Sequence, residues 1–211
     1  MGYDLYGVNP TVNSEYPPRY NEILKKYGKN GWLDWSKDIP EEVKNEYFNL
    51  QNEYQTNNPG SYFRNNVWYW RPLWDFVCHH CSGFLTPRDC SKGGHNGGER
   101  ISKTKSVKIA KKLSRLIADG TVAHYEKEHR LSYEIAKVHN DEVDEELDEL
   151  RKKVKKETGK KLTPANYPKK YKEEWDKIYA KRNWHSSYPF TAGNVEEFAK
   201  FCMQSGGFEI C

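Results

Sequence analysis

Within the fifteen residues from Tyr62 to Phe76 there are seven aromatic side chains, and no other stretch restricts the fold of this chain so strongly. Rings of this size carry a large share of core or interface energetics, so the segment must either be packed away or present a binding surface. It reads YFRNNVWYWRPLWDFVCHHC from Tyr62 to Cys81. The segment is expected to start extended and turn helical near Arg71-Pro72, because Pro tolerates a first helical turn and disfavours helix in the residue before it. In a strand, alternation would put Arg64, Asn66, Trp68 and Trp70 on one face and Asn65, Val67 and Tyr69 on the other. Part of the block therefore belongs to the core.

The same aromatics decide that the chain folds at all. An apolar fraction of 36% beside a charged fraction of 30% would be lean for a globular protein, but 7 Trp, 15 Tyr and 8 Phe supply burial that disordered chains lack. At 211 residues the chain can form one core plus an appendage. The net charge of +4 is evenly spread, with 16 basic and 14 acidic residues between Thr121 and Asn183. Nucleic acid is therefore not the indicated partner. No apolar run approaches the roughly 20 residues of a membrane span, and MGYDLYG lacks the layout of a signal peptide. The expected location is the cytoplasm. Five cysteines form an odd set, which argues for reduced thiols or a metal site over a disulfide framework.

The expected fold class is α+β: a compact, aromatic-rich helical core with a few short strands and a protruding charged α-helical hairpin. Residues 1–120 and 184–211 form the core domain in this reading, and residues 121–183 the hairpin insertion. The first forty residues, punctuated by Pro10, Pro17, Pro18 and Pro40, read as extended or loop structure anchored by Tyr3, Leu5, Tyr6, Trp32 and Trp35. A helix follows from about Glu41 to Tyr54, and another starts after a Ser102 cap and ends at Asp119-Gly120. In the charged region Val143, Leu147, Leu150 and Val154 form one helical stripe, and Tyr171, Trp175 and Ile178 another. Asp148 with Lys152 and Glu149 with Lys153 are spaced as i,i+4 ion pairs. The tail from Phe208 to Cys211 is expected to return as a strand.

Three constellations could carry chemistry. In the first, Tyr62, Trp68 and Trp70 would stack a flat base, Asn65 and Asn66 would read its edge, and Arg64 and Arg71 would hold phosphate. The second is the loop GGHNGGER, where Asn96, Arg100 and Lys103 surround glycines whose N–H groups could cradle an anion before a helix N-terminus. No Walker motif is present. The third is Cys78, Cys81, Cys90 and His95, a set that could supply four zinc ligands, although its spacing is not that of the common knuckle. No motif calls for another cofactor, and no catalytic motif with a unique reading occurs.

The opening MGYDLYGVNP, the block NNPGSYFRNNVWYWRPLWDFVC, the stretch NGGERISKTKSVKIAKKLSRLIADG and the endings YPF, NVEEFAKFC and SGGFEIC resemble a family of small accessory proteins of tailed bacteriophages. The resemblance implies expression in an infected bacterial cytoplasm and a host-directed, anti-defence role. Phages of this kind use small non-enzymatic proteins to sequester nucleotide second messengers of bacterial immunity. The expected function is thus binding of a small, cyclic nucleotide signal, such as a cyclic ADP-ribose isomer, without cleavage, by a homo-oligomer. The alternatives are a nucleotide-degrading or modifying enzyme, with His79, His80 or His95 as acid or base, and an interaction module that inhibits a host protein.

Overall fold

The computed structural model describes residues Gly2–Cys211. They form an α+β structure in two compact units, the first running to Val122 and resuming from Ala192 to Cys211, the second spanning Ala123–Thr191.

The first unit is organised by an antiparallel sheet of β1 (Gly2–Gly7), β4 (Tyr62–Asn66), β5 (Glu99–Ser102) and β6 (Gly207–Ile210), ordered β4-β1-β6-β5. The returning tail is β6, seated between the first strand and the third. Alternation sends Tyr3, Leu5, Phe63, Ile101, Phe208 and Ile210 to the inner face, where all are buried. Beneath them lie α3 (Val67–His80), α5 (Lys103–Ala118) and α8 (Ala192–Gln204). The core between them is largely aromatic: Phe63 meets Phe198 at 5.2 Å, Phe201 meets Phe208 at 5.5 Å, and Trp70 stacks on Trp74 at 5.2 Å and on Tyr3 at 5.3 Å. Burying each such ring stabilises the fold by about 1.5–3 kcal/mol.

Two starts differ from the sequence expectation. The helix α3 begins at Val67, well before Arg71-Pro72, because the Asn66 side chain accepts hydrogen bonds from the N–H groups of Trp68 and Tyr69, both at 3.0 Å. That cap outweighs the reluctance of the residue before a proline, and Pro72 sits inside the helix at the cost of one i to i−4 bond. The proline-rich first forty residues are also not all extended. They contain α1 (Pro18–Tyr27), with Pro18 at its first position, and a short hairpin of β2 (Gly28–Lys29) and β3 (Trp32–Leu33). A cluster of Tyr20, Ile23, Leu33, Ile39 and Tyr47 holds these pieces to α2 (Glu41–Asn57). Tyr3 and Leu5 are anchors as expected, but Tyr6, Trp32 and Trp35 are exposed.

In the second unit, α6 (Thr121–Thr158) and α7 (Lys169–Tyr179) share one apolar seam in which both stripes meet, Val143, Leu147, Leu150 and Val154 against Tyr167, Tyr171 and Trp175. Asp148 pairs with Arg151, three residues on, and Lys153 reaches Glu174 of the facing helix at 3.7 Å. Among the described residues no helix is long and apolar enough to cross a membrane.

Candidate functional site

The predicted aromatic and arginine block is divided by the ladder and the cap. Tyr62, Arg64 and Asn66 occupy the outer face of β4, whereas Phe63 and Asn65 turn inward. Asn65 is buried and spends its amide on Asn194 at 2.8 Å, so it is not free to read a base edge. Asn66 is the helix cap. Trp70, expected to stack a base, is instead fully buried, because the helix turns it under the sheet and its indole N–H donates to the Gly93 carbonyl at 2.7 Å. Trp68 and Arg71 are exposed on α3, where the Arg71 charge acts on Asp75 one turn later. Burial raises the Asp75 carboxyl above its ordinary range, and Arg71 opposes that shift.

The glycine loop is not an open anion cradle. Four of its N–H groups are taken by backbone carbonyls: Gly93 by Cys90, Gly94 by Ser91, His95 by Lys92 and Gly98 by Ile210. Its carbonyls are pinned from below by Trp70 to Gly93 and by Tyr3 to Gly94 at 3.1 Å. Gly93 is glycine because a Cβ there would lie 2.1 Å from the Trp74 indole nitrogen. Asn96 donates to the Gly2 carbonyl at 2.7 Å. Arg100 extends from β5 on the outer sheet face and pairs with Glu209 at 2.6 Å. Lys103 is exposed at the first turn of α5. Arg64 and Arg100 thus share a sheet face but lie on opposite edge strands, about 14 Å apart at the usual strand spacing. The stacking half and the anion half do not converge on one pocket.

The cysteine set brings Cys78 beside Cys90 but does not build a metal centre with His95. Among the described residues no three His, Cys, Asp or Glu side chains are arranged to hold a metal ion. His95 faces the Ser91 carbonyl at 3.2 Å. Burial pushes the Cys81 thiol up to about 12, and burial together with the neighbouring Cys90 raises Cys78. Both stay thiols at neutral pH; Cys81 is a small core residue and Cys78 is half-buried.

The structure places a different cleft beside Tyr62 and Arg64. It measures about 410 Å³ and draws on three sources. The outer face of β1 and β4 contributes Tyr6, Tyr62 and Arg64; one face of α2 contributes Phe48, Gln51, Asn52 and Gln55; and Tyr16, Tyr54, Trp32 and Ser61 complete it. The spacing of the α2 residues is i, i+3, i+4, i+7, the surface of one helical face. Tyr16 stacks on Tyr54 at 3.6 Å and on Tyr20 at 4.1 Å, so one wall of the cleft is a rigid tyrosine column anchored in the core. Trp32 is 54% exposed at the rim.

Asp4, outside the lining, braces two of the lining residues. It accepts a hydrogen bond from the Tyr62 hydroxyl and lies 3.6 Å from the Arg64 Nε. Arg64 is still 70% exposed, so its guanidinium faces solvent across the cleft mouth. Burial raises the phenol pKa of Tyr62, Tyr6 and Tyr16, assisted at Tyr62 by the bond to Asp4 and at Tyr6 by the Asp4 charge. At neutral pH these hydroxyls are donors or acceptors and not bases. A second cleft of about 560 Å³ shares Asn52, Gln55, Tyr62 and Arg64 and adds Thr56, Glu197 and Lys200.

Of the expected binding residues, only Tyr62 and Arg64 line this region. Tyr6, Trp32 and the α2 amides were missed because their surroundings are assembled from distant segments. The available signal was the amide run Gln51, Asn52 and Gln55 at helical spacing, which a helix seldom needs for stability. No protein-family profile, curated protein or solved structure matches this chain.

Proposed function

We propose that this protein binds a small nucleotide-like signal in the cleft between α2 and the β1–β4 edge and holds it without cleaving it. The lining carries the proposal: aromatic faces for a base, three carboxamides for its edge, and a guanidinium at the mouth, with Lys200 in the adjoining cleft as a second cation for phosphate. Among the described residues no carboxylate, histidine or cysteine lines the first cleft, Glu197 is the carboxylate of the adjoining one, and the elevated tyrosine hydroxyls are poor bases, which favours sequestration over hydrolysis. The two adjoining volumes fall in the range of small-molecule sites, and together they suit a ligand with a base, ribose and phosphates, of which a cyclic ADP-ribose isomer is the leading example. The resemblance to phage accessory proteins fits this reading, which makes the protein an anti-defence sponge in the infected bacterial cytoplasm.

Calorimetry with cyclic ADP-ribose isomers and cyclic dinucleotides tests the site. Trp32→Ala and Arg64→Ala should each weaken binding at least about tenfold, roughly 1.4 kcal/mol. After heat denaturation the nucleotide should be recovered intact. A converted product would make the protein an enzyme, and binding indifferent to both substitutions would move the site elsewhere.

A further inference from the structure

We propose that α6 is a self-association surface on which two copies of this chain pack antiparallel through Leu131, Ile135 and Val138. These three side chains are 64%, 63% and 61% exposed, far more open than aliphatic residues on a solvated helix need to be. Their i, i+4, i+7 spacing aligns them in one stripe. The helix already has a buried side: Ala136, Asn140 and Val143 face the interior of the second unit. The exposed stripe is therefore a second apolar face, turned away from the first. Beside it a groove of about 710 Å³ is lined by Ile135, His139 and Trp184, the last 53% exposed, together with the polar Lys181, Arg182 and Asn183, which offers room for a side chain from across a seam.

Charge selects both the occupant and its direction. Along the stripe, the end before Leu131 carries the cation Lys127, with His124 paired to Glu128 at 3.3 Å beside it, and the end after Val138 carries Glu142 and Glu145, all exposed. Two copies aligned parallel would set the glutamates against themselves. Turned antiparallel about a dyad near Glu134 and Ile135, each copy sets its acidic end against the other's Lys127, while Leu131 faces Val138 twice. A second copy satisfies both ends of the stripe at once because it presents the same pattern reversed.

Sedimentation velocity on the full chain tests this over about 1–100 μM, the range in which a short seam with a polar rim associates. The mass should rise toward a dimer with concentration. Ile135→Glu should shift the association at least about tenfold toward monomer, with helical circular dichroism unchanged. Lys127→Glu should weaken it about three- to tenfold, since the change acts twice in a symmetric pair, and adding Glu142→Lys with Glu145→Lys should restore it. A chain that stays monomeric throughout overturns the proposal, as does a dimer untouched by Ile135→Glu. Failure of the charge reversals to compensate overturns the antiparallel arrangement. A monomeric chain that captures a host protein through Ile135 gives the surface to another partner and also overturns it.

Discussion

Trp70 donates its indole N–H to the Gly93 carbonyl from a fully buried position, and this makes it sensitive to a mild substitution. Trp70→Phe keeps a flat ring but leaves that carbonyl unpaired and opens space beside Trp74. The cost should be about 2–3 kcal/mol, read as a lower urea midpoint at an unchanged slope. Trp32, with no buried role, should tolerate alanine in the same assay. The two residues have the same chemistry in the sequence, and only the destination of the indole separates core from surface. Alternation in β4 was legible, and Phe63 does turn inward while Tyr62 and Arg64 turn out. What could not be read was the point where alternation stops, because that depends on the Asn66 side chain folding back onto two N–H groups. With the strand cut short there, Trp70 follows helical and not strand geometry.

Among the elements, α3 shows how one cap sets a boundary. Asn66→Ala removes the acceptor for the Trp68 and Tyr69 N–H groups and should cost about 1 kcal/mol. Hydrogen exchange should show the loss as faster exchange confined to the first turn of α3, with the rest of the core protected. Helices with a strong apolar period or a plain N-terminal signal were readable: α2 from Glu41, α5 after Ser102, and the two stripes that meet between α6 and α7. The helix α1 was hidden because Pro17-Pro18 reads as loop punctuation, although Pro18 sits at the one helical position where proline fits. The clefts were the least legible feature. Their walls come from β1, α2, β3, β4 and α8, and no local pattern records that these meet.

For the molecule as a whole, Asp89 sets the response to acid. It is buried between α4 (Pro87–Lys92) and α5, and it receives hydrogen bonds from Lys105 and from the Thr86 hydroxyl and N–H. Lys92 lies 3.4 Å from the same carboxylate and also donates to the Arg100 carbonyl of β5. Burial alone would raise the Asp89 pKa, but these donors outweigh it and hold the carboxyl well below its ordinary value of 3.8. The folded state therefore binds the proton less readily than the unfolded chain. The contribution is fully present above about pH 4 and is lost as the pH falls below it. Asp89→Asn should be clearly less stable than the parent at pH 7, and the gap should narrow as titration proceeds below about pH 4. A gap that persisted unchanged to low pH would show that the carboxylate charge is not what joins α4, β5 and α5.

The position of β6 carries a kinetic consequence. The last strand of the chain fills the sheet between β1, the first, and β5, so two of the three strand junctions cannot form until it arrives. Closing β1 onto β6 spans nearly the whole sequence, and contacts of that separation are costly to bring together and slow to nucleate. During synthesis β1 and β4 can pair early, but the β1 edge that β6 covers stays open until Gly207–Ile210 have emerged. Assembly of this sheet thus waits on one late strand, which joins β1 and β5 across a long stretch of intervening chain.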